Sequence, residues 1–291
     1  MSTRKLPESV GLFGLGLIGN ALAGHLIKAG VAVRGFDPDP DCMARLEAMG
    51  GKPMAAESVW GAECIVSAVF STDQLGDLIA TAPHSDGKAI ISMSTCDPSL
   101  MPGLAVAAKE NGYELIESPI SGTSADLAAG DAILLVAGDK AIADELSPVF
   151  EILSRAHFHV GEMGNGNRAK LAINLILGLS RAAVAEGVVF AKAIGLNPEA
   201  FLQLALQSAA SSKVMASKGP KMVSREFSPL GRVTQCAKDA DLIYKQAIAA
   251  GQGLPMTQRY RELLAASIEN GEGDLDNSAV LLAIERTPVT S

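Results

Sequence analysis

Residues 9–19, SVGLFGLGLIG, join a short apolar run to three glycines in G-x-G-x-x-G spacing. SVGLF reads as a strand buried on both faces, and a helical stretch runs on from Leu17 to Gly30. In that context Gly14 permits the tight turn and Gly16 lets backbone approach a pyrophosphate. Gly19 lets helix pack closely on strand, with the phosphates held at the helix N-terminus. The same spacing also fits a plain β-to-α turn, so the strand before and the helix after carry the reading. The candidate cofactor cradle is therefore Gly14, Leu15, Gly16, Leu17, Ile18 and Gly19.

The next strand, VAVRGF, ends at Asp37, about 20 residues on, where a carboxylate accepts ribose hydroxyls and repels a 2′-phosphate. Pro38 and Asp39 offer no donor for such a phosphate, and Arg34 lies mid-strand. NAD is therefore preferred, with NADP possible. The competing role for Asp37 is to cap the helix that follows it.

Outward from this unit, ECIVSAVF, KAIISM, YELIES, AILLVAG and AHFHV (156–160) are further short apolar runs. Helical stretches near 40–49, 73–80, 98–110, 124–129 and 140–153 separate them. This alternation predicts an α/β fold, a Rossmann-type doubly wound parallel sheet over residues 1–162. After Gly161 the pattern is helical throughout: about 167–194, 198–209, 212–223, 232–250, 256–269 and 276–285. Pro198, Pro220, Pro229 and Pro255 fall where helices should break. Residues 163–291 are thus predicted to form an all-α domain for substrate binding and oligomerisation.

The 291 residues are 48% hydrophobic, 19% charged and only 4% aromatic, with a formal charge of −8. Such a chain has ample core material, and small aliphatic side chains must fill it. It has no basic stripe, which argues against nucleic acid as a partner. Cys42, Cys64, Cys96 and Cys236 show no C-x-x-C spacing and read as reduced thiols. His157 and His159 alternate on one strand without a third ligand, so no metal site is expected. The N-terminus does not read as a signal peptide, and no run reaches the ~18 unbroken apolar residues of a membrane span. A cytoplasmic protein without a membrane partner is expected, and the apolar helical half predicts a homodimer or homotetramer.

Two further stretches carry chemistry. ESPISGTSADLAAG (117–130) places Ser121, Gly122 and Thr123 between a strand and a short helix. Such a turn either cradles a carboxylate with its N–H groups and both hydroxyls or is an ordinary N-cap. GNGNRAKLAIN (164–174) sets Lys170 near the start of a long apolar helix, with Asn174 one turn on along the same face. A buried ammonium is costly unless its charge is used, although a lysine there can also snorkel to the surface.

With the glycine turn, SPISGT, GNGNRAKLAIN and KDADL (238–242) in this order, the chain resembles the β-hydroxyacid dehydrogenase family over nearly its whole length. The resemblance implies a Rossmann domain, an all-helical C-terminal domain and an active site between them. It also implies hydride transfer between a nicotinamide cofactor and a small 3-hydroxy acid of the 3-hydroxyisobutyrate, tartronate semialdehyde or threonate type. Ser121, Gly122 and Thr123 match the family's substrate-carboxylate loop, although Thr123 and Glu117 stand where glycine and aspartate are more usual. Lys170 matches its acid–base lysine and Asn174 the amide that orients substrate. Lys238 matches a lysine near substrate and cofactor, with Asp239 beside it. Ser94 and Thr95 match the loop along the nicotinamide, and Val69 and Phe70 the earlier loop over the cofactor. Lysine is a weak acid at its free pKa of about 10.4, so burial and nearby cations must lower it for this task. The stretch QSAASSKVMASKGPKM (207–222), polar and small, is expected to help shape the substrate pocket. Alternatives on the same scaffold are an imine reductase, which usually replaces the lysine, and a non-catalytic NAD(H)-binding protein. A 6-phosphogluconate dehydrogenase needs a larger helical domain than this chain supplies.

Overall fold

A computed structural model describes residues 5–289. Residues 1–4 of the N-terminal stretch considered above, and residues 290–291, lie outside the described residues. The chain divides into two compact units, the first ending at Lys170 and the second beginning at Leu171.

In the first unit six strands form one parallel sheet in the order β3-β2-β1-β4-β5-β6. They are β1 (Ser9–Phe13), β2 (Ala32–Phe36), β3 (Lys52–Pro53), β4 (Cys64–Ser67), β5 (Lys88–Ser92) and β6 (Tyr113–Glu117). The order reverses between β1 and β4, where an open α/β sheet opens a crevice at its carboxyl edge. Neighbouring residues of one strand fall into different cores: Ile90 packs with Phe13, Trp60 and Tyr113, while Ile91 packs with Leu12, Leu22 and Val66. Burial on both faces is why these strands read as unbroken apolar runs. The helices of this unit are α1 (Leu17–Lys28), α2 (Pro40–Ala48), α3 (Ala56–Val59), α4 (Thr72–Ala80), α5 (Met101–Glu110), α6 (Ser124–Ala128), α7 (Lys140–Glu145) and α8 (Ser147–Leu153).

Two features depart from the expected pattern. The runs AILLVAG and AHFHV do not extend the main sheet. With β7 (Ile120–Ser121), they form a separate three-stranded sheet as β8 (Ile133–Val136) and β9 (Ala156–His159), in which β7 and β8 are antiparallel. The helix expected over 140–153 breaks at Leu146 into α7 and α8, because Pro148 has no N–H to donate back to Asp144. The Ser147 hydroxyl takes that carbonyl instead, at 2.8 Å.

The second unit is helical. It is built from α9 (Asn165–Ala193), which begins in the first unit, α10 (Pro198–Gln207), α11 (Lys213–Ser224), α12 (Val233–Ala249), α13 (Pro255–Glu269) and α14 (Val280–Glu285). Pro198 and Pro255 open helices, as expected, but Pro220 lies inside α11 rather than ending it. Val184, Val188, Leu202, Met222, Tyr260, Leu264 and Leu281 make its core. By length and composition α9 is apolar enough to cross a membrane, yet it buries Lys170 and Arg181, and the Arg181 guanidinium donates to the Tyr260 hydroxyl at 2.8 Å.

Candidate active site

The glycine turn begins where β1 ends. Gly14 has φ +86°, which a side chain would strain, and its N–H donates to the Phe36 carbonyl at 3.0 Å. A Cβ on Gly19 would stand 1.9 Å from the Gly14 carbonyl oxygen, so only glycine lets α1 approach β1 this closely. Gly16 is different: a Cβ there would meet nothing within 4 Å. It is the N-cap of α1, and no side chain caps that helix. Outward-facing first-turn N–H groups beside open space suit the negative charge of a pyrophosphate. Asp37 supports the turn directly, accepting the N–H of Leu15 at 2.7 Å. The cap of α2 is Asp39, which accepts from Asp41 at 2.9 Å, so Asp37 is not that helix's cap. The turn, its exposed N-terminus and its acid together fit a dinucleotide.

Two loops at the same sheet edge are joined. The Ser94 hydroxyl, after β5, donates to the carbonyl of Val69, after β4, at 2.6 Å. Ser94 and Thr95 are buried, while Phe70 is exposed. Ser94 thus braces the two loops.

The Ser-Gly-Thr bend follows β7. Gly122 has φ +151° and Thr123 is the N-cap of α6. Thr123 forms a capping box: its N–H and hydroxyl both donate to Asp126 at 2.7 Å, and its hydroxyl accepts from the Asp126 N–H at 3.1 Å. Its hydroxyl is therefore committed to the helix, contrary to the reading in which both hydroxyls serve a ligand. Ser121 and Gly122 are left as that bend's candidate contacts.

Lys170 is buried, five residues into α9. The start of this helix is fixed by Glu117, the last residue of β6, whose side chain is fully buried. Glu117 Oε1 accepts the N–H groups of Gly164 and, at 3.2 Å, Gly166. Oε2 accepts the N–H of Asn167 at 3.2 Å and its side-chain amide at 2.5 Å. Burial pushes the Glu117 carboxyl above its ordinary range, against the lowering effect of these donors. The Asn167 Oδ1 in turn accepts the N–H of Cys96 at 2.7 Å. These bonds tie the first turn of α9 to β6, within the unit that ends at Lys170. An acid ending an otherwise apolar strand, and an asparagine beside two glycines, were the signals in the sequence for this tie.

The second unit carries its own cluster. On α9, the Asn174 amide donates to Asp239 Oδ2 at 2.8 Å. On α12, Lys238 stands 3.2 Å from Asp239 Oδ1, and Gln235 donates to the same oxygen at 3.5 Å. Asp239, buried at the centre, organises two residues read from the sequence as substrate contacts and was itself given no role there.

Comparison with known proteins agrees with both halves. Residues 9–161 match the model of the NAD binding domain of 6-phosphogluconate dehydrogenase. Residues 164–284 match that of the NAD-binding of NADP-dependent 3-hydroxyisobutyrate dehydrogenase. A 2-hydroxy-3-oxopropionate reductase of Escherichia coli is 29% identical over 283 residues, 95% of this chain and 97% of that one. The chloroplastic glyoxylate/succinic semialdehyde reductase 2 of Arabidopsis thaliana is 28% identical over 284 residues, 95% of this chain and 79% of that one. In fold, a crystal structure of 3-hydroxyisobutyrate dehydrogenase from Salmonella typhimurium superposes with a TM-score of 0.87 at 24% identity, covering 94% of this chain and 99% of that one. One model spans more than half of the sequence and a second takes up just beyond it, so the chain belongs to the β-hydroxyacid dehydrogenase family and is an NAD(P)-dependent oxidoreductase.

Proposed function

We propose that this chain interconverts a small 3-hydroxy acid and its semialdehyde or ketone, with Lys170 as the acid–base group and NAD preferred over NADP. The observation that carries the reading is a buried lysine one turn beyond a clamped helix start, with an amide, Asn174, one turn further along the same face. The relatives' names support the broader class, since glyoxylate, succinic semialdehyde and 2-hydroxy-3-oxopropionate are all small oxo acids.

The chemistry follows from charge. A bound nicotinamide donates or accepts the hydride. In reduction, negative charge grows on the carbonyl oxygen, and the Lys170 ammonium stabilises it and hands over a proton. In oxidation the neutral amine takes the hydroxyl proton. Ser121 and the backbone at Gly122 hold the carboxylate. Asn174, oriented by Asp239, fixes the reacting carbon's substituents, and Lys238 adds positive charge for an anionic substrate. Thr95, Val69 and Phe70 would border a bound cofactor. Asp37 supports the preference for NAD, since a carboxylate at the tip of β2 repels a 2′-phosphate.

The test is an assay with NAD and NADP over C3–C5 hydroxy acids and their semialdehydes. NAD-linked turnover of at least one such acid is expected. Lys170→Ala should lose about 10²–10⁴-fold in kcat with NADH affinity nearly intact. Tight NADH binding with no turnover of any acid would instead favour a non-catalytic protein. We also propose a homodimer or homotetramer: Ile176 and Phe190 on α9, Ile194 just after it and Leu204 on α10 are large, apolar and exposed. Analytical ultracentrifugation tests it, and a monomer at micromolar concentration would exclude it.

A further inference from the structure

Glu117 is a carboxylate whose acceptors are all used. Both oxygens receive two N–H groups each, from Gly164, Gly166 and, twice, Asn167. An ionised carboxylate offers only acceptors, whereas a protonated acid or an amide would turn a donor toward a donor. The pocket is therefore shaped for the ionised form, although burial alone opposes it. Gly166 completes the fit. A Cβ there would stand 2.6 Å from the Leu135 carbonyl oxygen and 3.1 Å from the Glu117 carboxyl carbon.

This buried negative charge sits at the N-terminus of α9, the positive end of a 29-residue helix. Lys170 lies three residues beyond Asn167, on the same face. Through the Asn167 amide, which accepts from Cys96, the same carboxylate also holds the loop that carries Ser94 and Thr95. One anion thus fixes two segments that bear proposed site residues.

We propose that Glu117 is a positioning residue for the reaction, one that sets the placement and electrostatic surroundings of Lys170 through the first turn of α9 and ties the Ser94–Cys96 loop to that turn through Asn167. The inference rests on the reading of Lys170 as the acid–base group. A nearby anion favours the ammonium, so removing it should make Lys170 easier to deprotonate.

The experiment compares wild type, Glu117→Gln, Glu117→Asp and Lys170→Ala. It measures kcat and KM against pH, NADH binding by fluorescence, and hydrogen exchange of the 164–170 amides without ligand. In Glu117→Gln, exchange should rise about 10-fold or more and kcat should fall roughly 10²-fold, with NADH affinity within about 3-fold of wild type. The pH limb assigned to Lys170 should move acid-ward. Glu117→Asp keeps the charge on a shorter arm, so it should keep the wild-type limb and recover part of kcat. A folded Glu117→Gln with wild-type kcat and limb, beside an inactive Lys170→Ala, overturns the inference and leaves the proposed function standing. A fall in kcat with an unmoved limb and an equal fall in NADH affinity also overturns it, as a purely structural role. An active Lys170→Ala overturns the proposed function itself. Should Glu117→Gln fail to fold, Asn167→Ala replaces it. It removes one donor to Glu117 and the acceptor for Cys96, and an unchanged kcat there refutes the proposal.

Discussion

The Leu15 N–H donates to the Asp37 carboxylate at 2.7 Å, fastening the glycine turn to the tip of β2. The other oxygen of Asp37 accepts the N–H of Asp39 at 2.9 Å, so the acid's position is fixed by backbone on both sides. On the proposed reading this held charge selects NAD. Asp37→Ala should raise the ratio of NADP- to NAD-linked kcat/KM by about 10- to 100-fold, the equivalent of a charge-assisted bond of about 1.5–3 kcal/mol. Asp37→Asn, which removes the charge and keeps an acceptor for Leu15, should shift the ratio the same way with less loss of stability. Steady-state kinetics with both cofactors checks this, and an unmoved ratio in both variants removes the NAD assignment.

The three glycines separate by role. Gly19→Ala forces a Cβ to within 1.9 Å of the Gly14 carbonyl, so β1 and α1 must part. Overpacking of this kind costs about 1–3 kcal/mol, visible as a Tm lowered by several degrees. Gly16→Ala meets no protein atom within 4 Å and should melt like wild type. Its methyl instead occupies the approach of the pyrophosphate, so NADH affinity should fall about 10-fold or more. Thermal melts paired with fluorescence titrations separate the two effects. Wild-type NADH binding by Gly16→Ala would place the pyrophosphate elsewhere.

These roles show what a linear sequence carries. The central strands were legible because burial on both faces leaves uninterrupted apolar runs such as AIIS in β5, and the glycine turn because backbone geometry there demands specific residues. β3 and β7, two residues each, are too short for any periodicity, and the second sheet rests on the antiparallel pairing of β7 with β8. Lys170 was legible as a charge in an apolar helix. The bonds that fix the start of its helix were not, since Glu117 and Asn167 are 50 residues apart in sequence, as Asn174 and Asp239 are 65 apart. The polar stretch 207–222 illustrates the converse. Lys218, within it, was read as part of a substrate-facing segment, but it is buried and paired with Asp276 inside the second unit.

The Asn174–Asp239 bond gives a direct test of the second unit's cluster. Asp239→Ala leaves the Asn174 amide without its 2.8 Å acceptor and Lys238 without the carboxylate at 3.2 Å. The expected result is a rise in KM for the acid of about 10-fold and a lower kcat, with NADH affinity unchanged. In a double-mutant cycle with Asn174→Ala the two losses should not add, and the coupling in kcat/KM should be about 1–2 kcal/mol. Strict additivity would mean that Asp239 does not act through Asn174.

Asp276 should set the acid limit of the helical unit. Its side chain is fully buried and accepts Lys218 Nζ on both oxygens at 2.9 and 2.8 Å. It also accepts the N–H groups of Leu230 at 2.9 Å and Ser278 at 3.0 Å, and the Ser278 hydroxyl at 2.7 Å. Burial by itself raises a carboxyl's pKa, but these bonds outweigh it and hold Asp276 below its ordinary value of 3.8. A group whose pKa is depressed by folding contributes its full stability above the unfolded value and loses it as pH falls through the folded one. Thermal stability should therefore hold from neutrality to about pH 4 and then decline. Asp276→Asn should cost about 3–5 kcal/mol at pH 7, because it strands the Lys218 charge. Its deficit relative to wild type should narrow below pH 4, since wild type then loses the same ion pair by protonation. Lys218→Met combined with Asp276→Leu removes both charges at once and should be less destabilising than Asp276→Asn alone. Circular-dichroism melts of the full chain between pH 3 and 7 measure all three. Parallel acid limbs in wild type and Asp276→Asn would show that another carboxylate governs acid unfolding.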